Sequence, residues 1–205
     1  MKQIYFVRHG QTNHNVQRVF QDDSENLNDC GIQQAKLVAN RFINDVEVII
    51  TSPLRRTQET ADIIAKTSGC KLETLDILKE MMNPPIVRGK SYDDPVASEA
   101  YDHWLEKILA DESYGRDDVE NFFDLSLRAH QILNILNARS EEKIVVVTHS
   151  VTIRAILACI IMGEKTSPDI IEYFQNHIKI NNTGVVCINV TYDNNGKTRY
   201  KILFE

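Results

Sequence analysis

The sequence predicts an α/β sandwich of three layers, in which helices cover both faces of a mostly parallel sheet with an antiparallel edge. Three observations predict this class. Apolar runs rich in β-branched residues alternate with segments whose apolar residues recur at helical spacing. The runs at 4–7 and 144–147 are continuously apolar, which is typical of strands buried on both faces. Near the carboxyl end, Asn195 and Gly196 separate two β-rich segments and predict a hairpin.

In the first part of the chain, capping and stop residues bound each predicted helix. Asn28 precedes apolar residues at helical spacing, so we expect it to cap a helix. Pro53 fits the first turn of the next helix, and Gly69 is a typical stop. The prolines and glycine of 81–94 favour a loop. The predicted order is a strand at 4–7, a polar loop to 27, a helix at 29–43, a strand at 46–50, a helix at 53–68, a strand at 70–75 and a loop at 81–94.

The second part of the chain contains the longest predicted helices and the hairpin. Gly163 ends one helix, and Ser167 or Pro168 begins a short one. The predicted order is helices at 96–110 and 119–138, a strand at 143–148, a helix at 151–162, the short helix, and strands at 185–192 and 198–204.

The length of the chain favours one domain. Its 205 residues suffice to bury a core without disulfides or metals as supports. No internal repeat or low-complexity linker divides it. We therefore expect a single domain over residues 1–205, with residues 81–118 as an insert over one end of the sheet.

Composition excludes several classes of function. The chain is 42% hydrophobic and 25% charged, an ordinary globular balance, and its net charge is −6. An acidic chain is not expected to bind nucleic acid or an anionic membrane through its general surface. An anionic ligand would therefore need a local cluster of arginines.

The sequence lacks the features expected of a membrane or secreted protein, and this favours a cytoplasmic protein. No apolar run approaches the ~18 residues of a membrane span, and the apolar stretch before Arg8 is too short for a secretory signal. The cysteines form no C-x-x-C pair, so we expect reduced thiols and no metal site. The sequence does not indicate the oligomeric state. The four cysteines are Cys30, Cys70, Cys159 and Cys187.

Three predicted strands end next to basic residues. Arg8 and His9 follow the first strand, His149 follows the strand at 143–148, and Arg56 lies near the start of the helix after the second strand. In open α/β sheets, ligands bind at the carboxyl ends of the strands. We therefore expect two histidines and at least two arginines at one edge of the sheet.

Phosphoryl transfer is the chemistry that such a set of residues fits. Catalysis of this reaction consists mostly of positioning and of stabilising negative charge on the phosphoryl oxygens. Arginine binds these oxygens with a planar fork, and a neutral imidazole can attack phosphorus to form a covalent intermediate. Zinc binding by His9 and His149 is disfavoured, because the flanking arginines would repel the cation and a third ligand is missing.

Four segments in order support this interpretation. They are Arg8-His9-Gly10-Gln11-Thr12 with Asn15, Gly31 with Gln34-Ala35, Ser52-Pro53-Leu54-Arg55-Arg56-Thr57, and Val147-Thr148-His149 with Arg154. Together they resemble the histidine phosphatase superfamily, in the branch similar to phosphoglycerate mutase. The resemblance covers nearly the whole chain and implies the phosphoglycerate mutase-like form of the α/β sandwich.

The resemblance also implies a role for each matching residue. His9 is the expected nucleophile, and His149 is the second catalytic histidine. Arg8, Arg56 and Asn15 are expected to bind the substrate's phosphate, with no metal or other cofactor. Neighbouring residues at a helix start point about 100° apart, so we expect the adjacent Arg55 at the surface or the substrate rim.

A general acid must protonate the leaving oxygen, and the family segment Leu-x-Glu suggests Glu80. Glu120 is the alternative acid, because its neighbourhood loosely resembles a second family segment. The usual Gly-x-Trp-x-Gly after the acid is replaced by residues 81–85, and Ser150 replaces the usual glycine after the second histidine.

Three functions fit this sequence. The first is a metal-independent phosphatase that acts on a small phosphorylated metabolite through a phosphohistidine on His9. The second is a phosphoglycerate mutase, and the third is a degenerate relative that only binds a phosphorylated ligand. The insert is expected to set specificity. Its aromatic residues are expected to pack the insert helix on the sheet, with a lid or substrate wall as the alternative. Contacts of its basic residues with a second anionic group are a further alternative. The aromatic residues are Tyr92, Tyr101 and Trp104, and the basic residues are Arg88 and Lys90. We expect the remaining histidines, His14, His103, His130 and His177, to have surface or packing roles.

Overall fold

The structure is a computed structural model, and it describes residues 1–111, 114 and 119–204. Short 3₁₀ turns accompany the regular elements. In chain order the regular elements are β1 (Lys2–Arg8), α1 (Asn13–Gln17), α2 (Asp29–Ala39), β2 (Val48–Thr51), α3 (Arg55–Ser68), β3 (Lys71–Thr74), α4 (Pro95–Ala110), α5 (Phe122–Ala138), β4 (Lys143–Thr148), α6 (Ser150–Met162), α7 (Pro168–His177), β5 (Val185–Tyr192) and β6 (Thr198–Phe204).

The strands form one sheet in the order β3-β2-β4-β1-β5-β6. The first four strands along the chain run parallel, whereas β5 and β6 form the antiparallel edge and the C-terminal hairpin. The predicted sheet is therefore confirmed. β1 and β4 are neighbours, with Arg8 opposite Thr148. The residues that follow these strands, His9 and His149, consequently start from the same edge of the sheet.

Apolar side chains bury both faces of the sheet. On one face, Ile4 and Phe6 of β1 belong to a core cluster with residues of α5, α6 and α7. On the other face, Val7 packs in a cluster with Val38 of α2 and Ile64 of α3. Successive side chains of a strand point to opposite faces, so one continuously apolar strand supplies both cores. The predicted three-layer α/β sandwich is confirmed.

Two helices begin later than the sequence predicts. Leu54 is extended (φ −72°, ψ 139°) and acts as the N-cap of α3, so Pro53 lies before the helix rather than in its first turn. Helix α5 begins at Phe122 rather than at residue 119, because the Asn121 side chain caps it by accepting a hydrogen bond from the Asp124 backbone N–H at 2.8 Å.

The predicted polar loop before Asn28 contains the short helix α1. Thr12 and Asn15 form a reciprocal capping box, in which each side chain accepts a hydrogen bond from the other's backbone N–H. A helix of five residues is too short to show an apolar period. Helix α2 also ends at Ala39, where a 3₁₀ turn at Asn40–Phe42 replaces the last predicted turn.

The segment predicted as an insert is a loop followed by α4. Asp94 caps α4 by accepting from the backbone N–H groups of Val96 and Ala97. Phe20, Val87 and Ala97 form a small apolar cluster that joins the α4 region to the loop after β1. Residues 112, 113 and 115–118 of the predicted insert lie outside the described residues. The role of this segment as an insert stays a prediction.

Among the residues that the structure describes, none of the helices has both the length and the apolar character that crossing a bilayer requires.

Candidate active site

His9 lies just past the end of β1 with its ring buried. Its backbone N–H donates to the Thr148 carbonyl at 3.0 Å, which ties the end of β1 to the end of β4. Its Nδ1 lies 2.7 Å from the Gly10 carbonyl oxygen, and this nitrogen must donate because a carbonyl only accepts. In the neutral ring, Nε2 therefore carries the free lone pair, as a nucleophile requires.

Burial and two cations keep the His9 ring neutral. Desolvation lowers the pKa of His9 well below its ordinary value, and the positive charges of Arg56 and Arg8 lower it further. The hydrogen bond to Gly10 opposes this shift only in part. The nucleophilic form of the imidazole is thus stable without a neighbouring base.

His149 lies beside His9, with 5.4 Å between the ring centroids. It is the N-cap residue of α6 and is fully buried. Its Nε2 lies 2.9 Å from the Ser52 hydroxyl, which also accepts the Leu54 backbone N–H at 3.2 Å. When the hydroxyl proton is donated to Nε2, the ring's own proton sits on Nδ1, a buried atom with no partner among the described residues. Burial, Arg56 and His9 lower the pKa of His149 well below its ordinary value.

Arg8 and Arg56 form an electropositive pair beside the histidines. Their Nη1 atoms donate to backbone carbonyls, Arg8 to Ile180 and Arg56 to Asp22, each at 2.8 Å. The Nε of each is buried and has no partner within the described part of the chain. Burial is the main cause that lowers the pKa of both guanidinium groups. Buried guanidinium nitrogens without a carboxylate partner among the described residues favour binding of an anionic ligand.

Glu80 is oriented by the first turn of α6. One carboxylate oxygen accepts the backbone N–H of Thr152 at 3.1 Å, and the other accepts that of Val151 at 3.2 Å. The Thr152 hydroxyl, at 3.1 Å, and the Met81 backbone N–H, at 3.2 Å, complete the set. These contacts aim the carboxylate at a cavity of about 530 Å³ that His9 and Arg8 also line.

Glu120, the alternative acid, is held in another place. Arg128 binds it through two hydrogen bonds of 2.5 Å, and the same guanidinium donates to the carbonyls of Ile77 and Lys79. Glu120 is not among the described residues that line the 530 Å³ cavity. Among the described residues, Glu80 therefore shares this cavity with His9, whereas Glu120 does not.

Asn15 lines the cavity, and its side chain is hydrogen-bonded to Asn182. The Asn15 Oδ1 accepts the Thr12 backbone N–H and the Asn182 side-chain N–H, both at 3.1 Å. The same Asn182 nitrogen donates to the His9 carbonyl at 3.1 Å. Sequence reasoning missed Asn182, because it lies 173 positions from His9 and in no recognised motif.

The outer part of the cavity is polar and aromatic. Tyr92 and Tyr101 line it, as the alternative of a substrate wall requires, together with Arg154 and Lys179, to which no motif in the sequence assigns a role. Trp104 lines instead a neighbouring cavity of about 180 Å³. We call the larger space the catalytic cavity and the smaller one the side cavity.

The other basic residues take separate positions. Arg56 and Arg88 line a small space of about 30 Å³ that shares Glu80 with the catalytic cavity. Arg55 is exposed, and Lys90 lines neither the catalytic nor the side cavity. Within the described ranges, no group of three or more His, Cys, Asp or Glu side chains is placed to hold a metal ion.

Among the described histidines, His9 lines the catalytic cavity, whereas His149 lies behind its wall and the histidines without a predicted catalytic role lie elsewhere. His14 lies 3.6 Å from a Glu25 carboxylate oxygen, and His177 stacks on Tyr173. His103 and His130 likewise are not among the described residues of its wall.

Two glycines allow the turn after His9 to touch α2. A Cβ on Gly31 would lie 2.1 Å from the Gln11 carbonyl oxygen, and one on Gly10 would lie 2.6 Å from the Gly31 carbonyl oxygen. Only residues without a side chain permit this approach. The contact fixes the Gly10 carbonyl that orients the His9 ring.

The fold and the arrangement of His9, His149 and the arginines place the chain in the class of enzymes that act through a phosphohistidine. The profile of the histidine phosphatase superfamily (branch 1) matches residues 4–202, and the chain belongs to this family. Among curated proteins, "Probable phosphoglycerate mutase GpmB" of Photorhabdus laumondii is 32% identical over 165 residues, which is 78% of this chain and 75% of that protein.

Solved structures share the fold. The mycobacterial glucosyl-3-phosphoglycerate phosphatase superposes with a TM-score of 0.76 at 21% identity, and the match covers 98% of this chain and 97% of that one. The alpha-ribazole phosphatase of Shigella flexneri gives a TM-score of 0.77 at 20% identity, over 99% and 96% of the two chains.

Proposed function

We propose that the protein is a metal-independent phosphatase that hydrolyses a phosphomonoester of a small metabolite. The observation that carries this proposal is the His9 ring, whose Nε2 lone pair is free while Nδ1 is bound to the Gly10 carbonyl. The Nε atoms of Arg8 and Arg56 are also buried and have no partner among the described residues. This set matches the needs of phosphoryl transfer, which are a nucleophile and fixed positive charge.

In the first step, Nε2 of His9 attacks phosphorus. The N–P bond forms as the ester P–O bond breaks, and Glu80 in its acid form gives its proton to the leaving oxygen. Arg8 and Arg56 stabilise the charge on the phosphoryl oxygens. The Nδ1–H of His149 donates a hydrogen bond to one of these oxygens.

In the second step, water hydrolyses the phosphohistidine. The Glu80 carboxylate takes a proton from the attacking water, the N–P bond breaks, and inorganic phosphate leaves. His9 returns to its neutral form, so the cycle needs no external reductant, oxidant or metal. Asn15 and Asn182 hold the backbone of His9 in place through both steps.

Hydrolysis requires that water reach the phosphohistidine beside the leaving alcohol. A mutase must exclude water and hold its intermediate for re-phosphorylation. The curated relatives named as phosphoglycerate mutases favour that second function, whereas the solved structures named as phosphatases share the fold with hydrolytic enzymes.

A panel of phosphorylated metabolites tests the proposal. Free phosphate and isomer formation from 3-phosphoglycerate are measured in parallel, with a chelator present. We expect phosphate release that survives the chelator and disappears in His9→Ala. Isomer formation without phosphate release would establish the mutase, and ligand-induced stabilisation without turnover would establish a binding protein.

A further inference from the structure

The segment that carries Glu80 lies between β3 and α4 and is held by side chains of other elements. The Thr148 hydroxyl donates to the Leu78 carbonyl at 2.7 Å, and the Thr152 hydroxyl lies 2.9 Å from the Lys79 carbonyl oxygen. Both threonines are fully buried. The carbonyls of the two residues before Glu80 are therefore fixed by the end of β4 and by the first turn of α6.

The Thr152 hydroxyl has a second acceptor within reach, which is Oε1 of Glu80. The hydroxyl lies 3.1 Å from Oε1, and the Thr152 backbone N–H donates to the same oxygen, also at 3.1 Å. A threonine in a helix more often directs its hydroxyl to a carbonyl of the preceding turn. Thr152 instead binds the candidate acid with its backbone and its side chain, although it is not among the described residues that line the catalytic or the side cavity.

The two oxygens of Glu80 are unequally bound. Oε1 lies within hydrogen-bond distance of three donors, which are the N–H and O–H of Thr152 and the Met81 backbone N–H at 3.2 Å. Among the described residues, Oε2 accepts one N–H, that of Val151 at 3.2 Å. A carboxylate oxygen offers two lone pairs, so Oε1 is saturated and Oε2 keeps one lone pair free. Val151 lines the catalytic cavity and Thr152 does not, so Oε2 is the oxygen bound from the cavity side.

We propose that Thr152 is a positioning residue for proton transfer by Glu80. Its hydroxyl holds Oε1, so that the proton of the acid form sits on Oε2 and points at the leaving oxygen. In the first step the O–H bond at Oε2 breaks and an O–H bond forms on the leaving oxygen, which keeps the electron pair of the broken P–O bond. In the second step Oε2 takes a proton from the attacking water. The inference rests on the proposed function, because it takes Glu80 as the acid.

The Thr152 hydroxyl can also follow the change of charge on Glu80. When Glu80 gives up its proton, the hydroxyl donates to the negatively charged carboxylate, because hydrogen bonds to ionised acceptors are the stronger ones. The Lys79 carbonyl keeps a partner meanwhile, since Nη1 of Arg128 donates to it at 2.7 Å. The hydroxyl therefore stabilises the carboxylate that exists between the two steps.

The test compares 2-phenylethyl phosphate, whose leaving oxygen needs a proton, with p-nitrophenyl phosphate, whose leaving group does not. The measured quantity is kcat/KM, which covers the reaction up to release of the leaving group. Thr152→Val keeps the shape of the side chain but lacks the O–H. We expect it to lower kcat/KM for the alkyl ester about tenfold and to leave the value for the aryl ester nearly unchanged. Thr152→Ser keeps the O–H and should keep the wild-type ratio of the two values.

Thr67→Val is the matched control. It removes an exposed hydroxyl of α3 that donates to the carbonyl of Ile63 in the same helix at 2.9 Å, and both values of kcat/KM should stay at those of wild type. An equal loss for both esters in Thr152→Val would show a structural role only and would overturn the inference, as would unchanged values. If Thr152→Val does not fold, Thr152→Cys takes its place, because a thiol is a weaker donor. It should shift the ratio in the same direction, and an unchanged ratio would overturn the inference.

A parallel measurement on Glu80→Gln separates this inference from the proposed function. If Glu80→Gln selectively loses the alkyl ester and Thr152→Val does not, the inference fails and the proposed function stands. If wild type releases phosphate from neither ester and from none of the metabolites in the panel, the proposed function itself is refuted.

Discussion

The Ser52 hydroxyl lies 2.9 Å from Nε2 of His149, and this contact joins the loop after β2 to the start of α6. His149 has no other side-chain anchor among the described residues, because its Nδ1 is without a partner. When this hydroxyl donates to Nε2, the proton of His149, 97 positions away along the chain, lies on Nδ1.

Replacing Ser52 with alanine should weaken catalysis. The variant loses the proton donor that keeps Nδ1–H directed at the phosphoryl oxygen, and we expect kcat to fall about tenfold, as for the loss of one buried hydrogen bond. Steady-state kinetics on an aryl phosphate measures this. Ser68→Ala, which removes a hydroxyl bound to a carbonyl of its own helix, is the control. An unchanged kcat in Ser52→Ala would show that this contact does not orient the ring.

The two candidate acids should respond differently to neutralisation. Glu80→Gln removes the proton donor, so we expect kcat for an alkyl phosphate to fall by about 10²–10⁴. The loss should be much smaller for p-nitrophenyl phosphate, whose leaving group needs no proton. Glu120→Gln should lower stability through its broken pair with Arg128 but leave this leaving-group dependence intact. The opposite pattern would assign the acid to Glu120.

The histidine pair should make stability depend on pH. Both rings have pKa values held well below the ordinary value by burial and arginine charge. Below the unfolded-state pKa of about 6.5, the unfolded chain therefore binds more protons than the folded one. Above that pH, the two histidines should therefore not change the free energy of unfolding. As the pH drops below it, they should lower the free energy of unfolding.

Urea unfolding of wild type and His149→Asn between pH 5 and 8 measures this effect. The variant should lose part of the acid-side slope. Equal slopes in both proteins would contradict the buried neutral state of His149.

Adding one methyl group at Gly31 should strain the site. Its Cβ would meet the Gln11 carbonyl at 2.1 Å, so the backbone after His9 must move. We expect Gly31→Ala to lower the free energy of unfolding by about 1–3 kcal/mol and to lower kcat through the displaced Gly10 carbonyl. Chemical denaturation and kinetics measure the two effects, with Cys30→Ala at the exposed neighbouring position as the control. Wild-type stability in Gly31→Ala would refute the close approach.

The sheet could be predicted from the sequence because the signals for strands are local. The apolar runs around Phe6 and Val146 are short but unbroken, and the hairpin has a turn dipeptide between its strands. Helix α1 was not predicted, because a capping box and not a periodic spacing of apolar residues defines it. Boundaries such as the start of α3 depend on the backbone angles of Leu54, which the spacing of apolar residues does not encode.

The histidines and arginines of the site were accessible from sequence because each follows a strand end or sits in a recognisable segment. Their convergence at one sheet edge follows from the pairing of β1 with β4. Asn182 was not assigned, because its role depends on long-range contacts with Asn15 and with the His9 carbonyl. No spacing rule connects such distant positions.

Trapping of the covalent intermediate tests the central claim most directly. Wild-type protein is mixed with a radiolabelled phosphomonoester, quenched in alkali within the first turnovers, and digested for mass spectrometry. The account predicts an acid-labile phosphoryl group on His9 in wild type and none in His9→Ala. Phosphate on another residue, or undiminished turnover by His9→Ala, would contradict it.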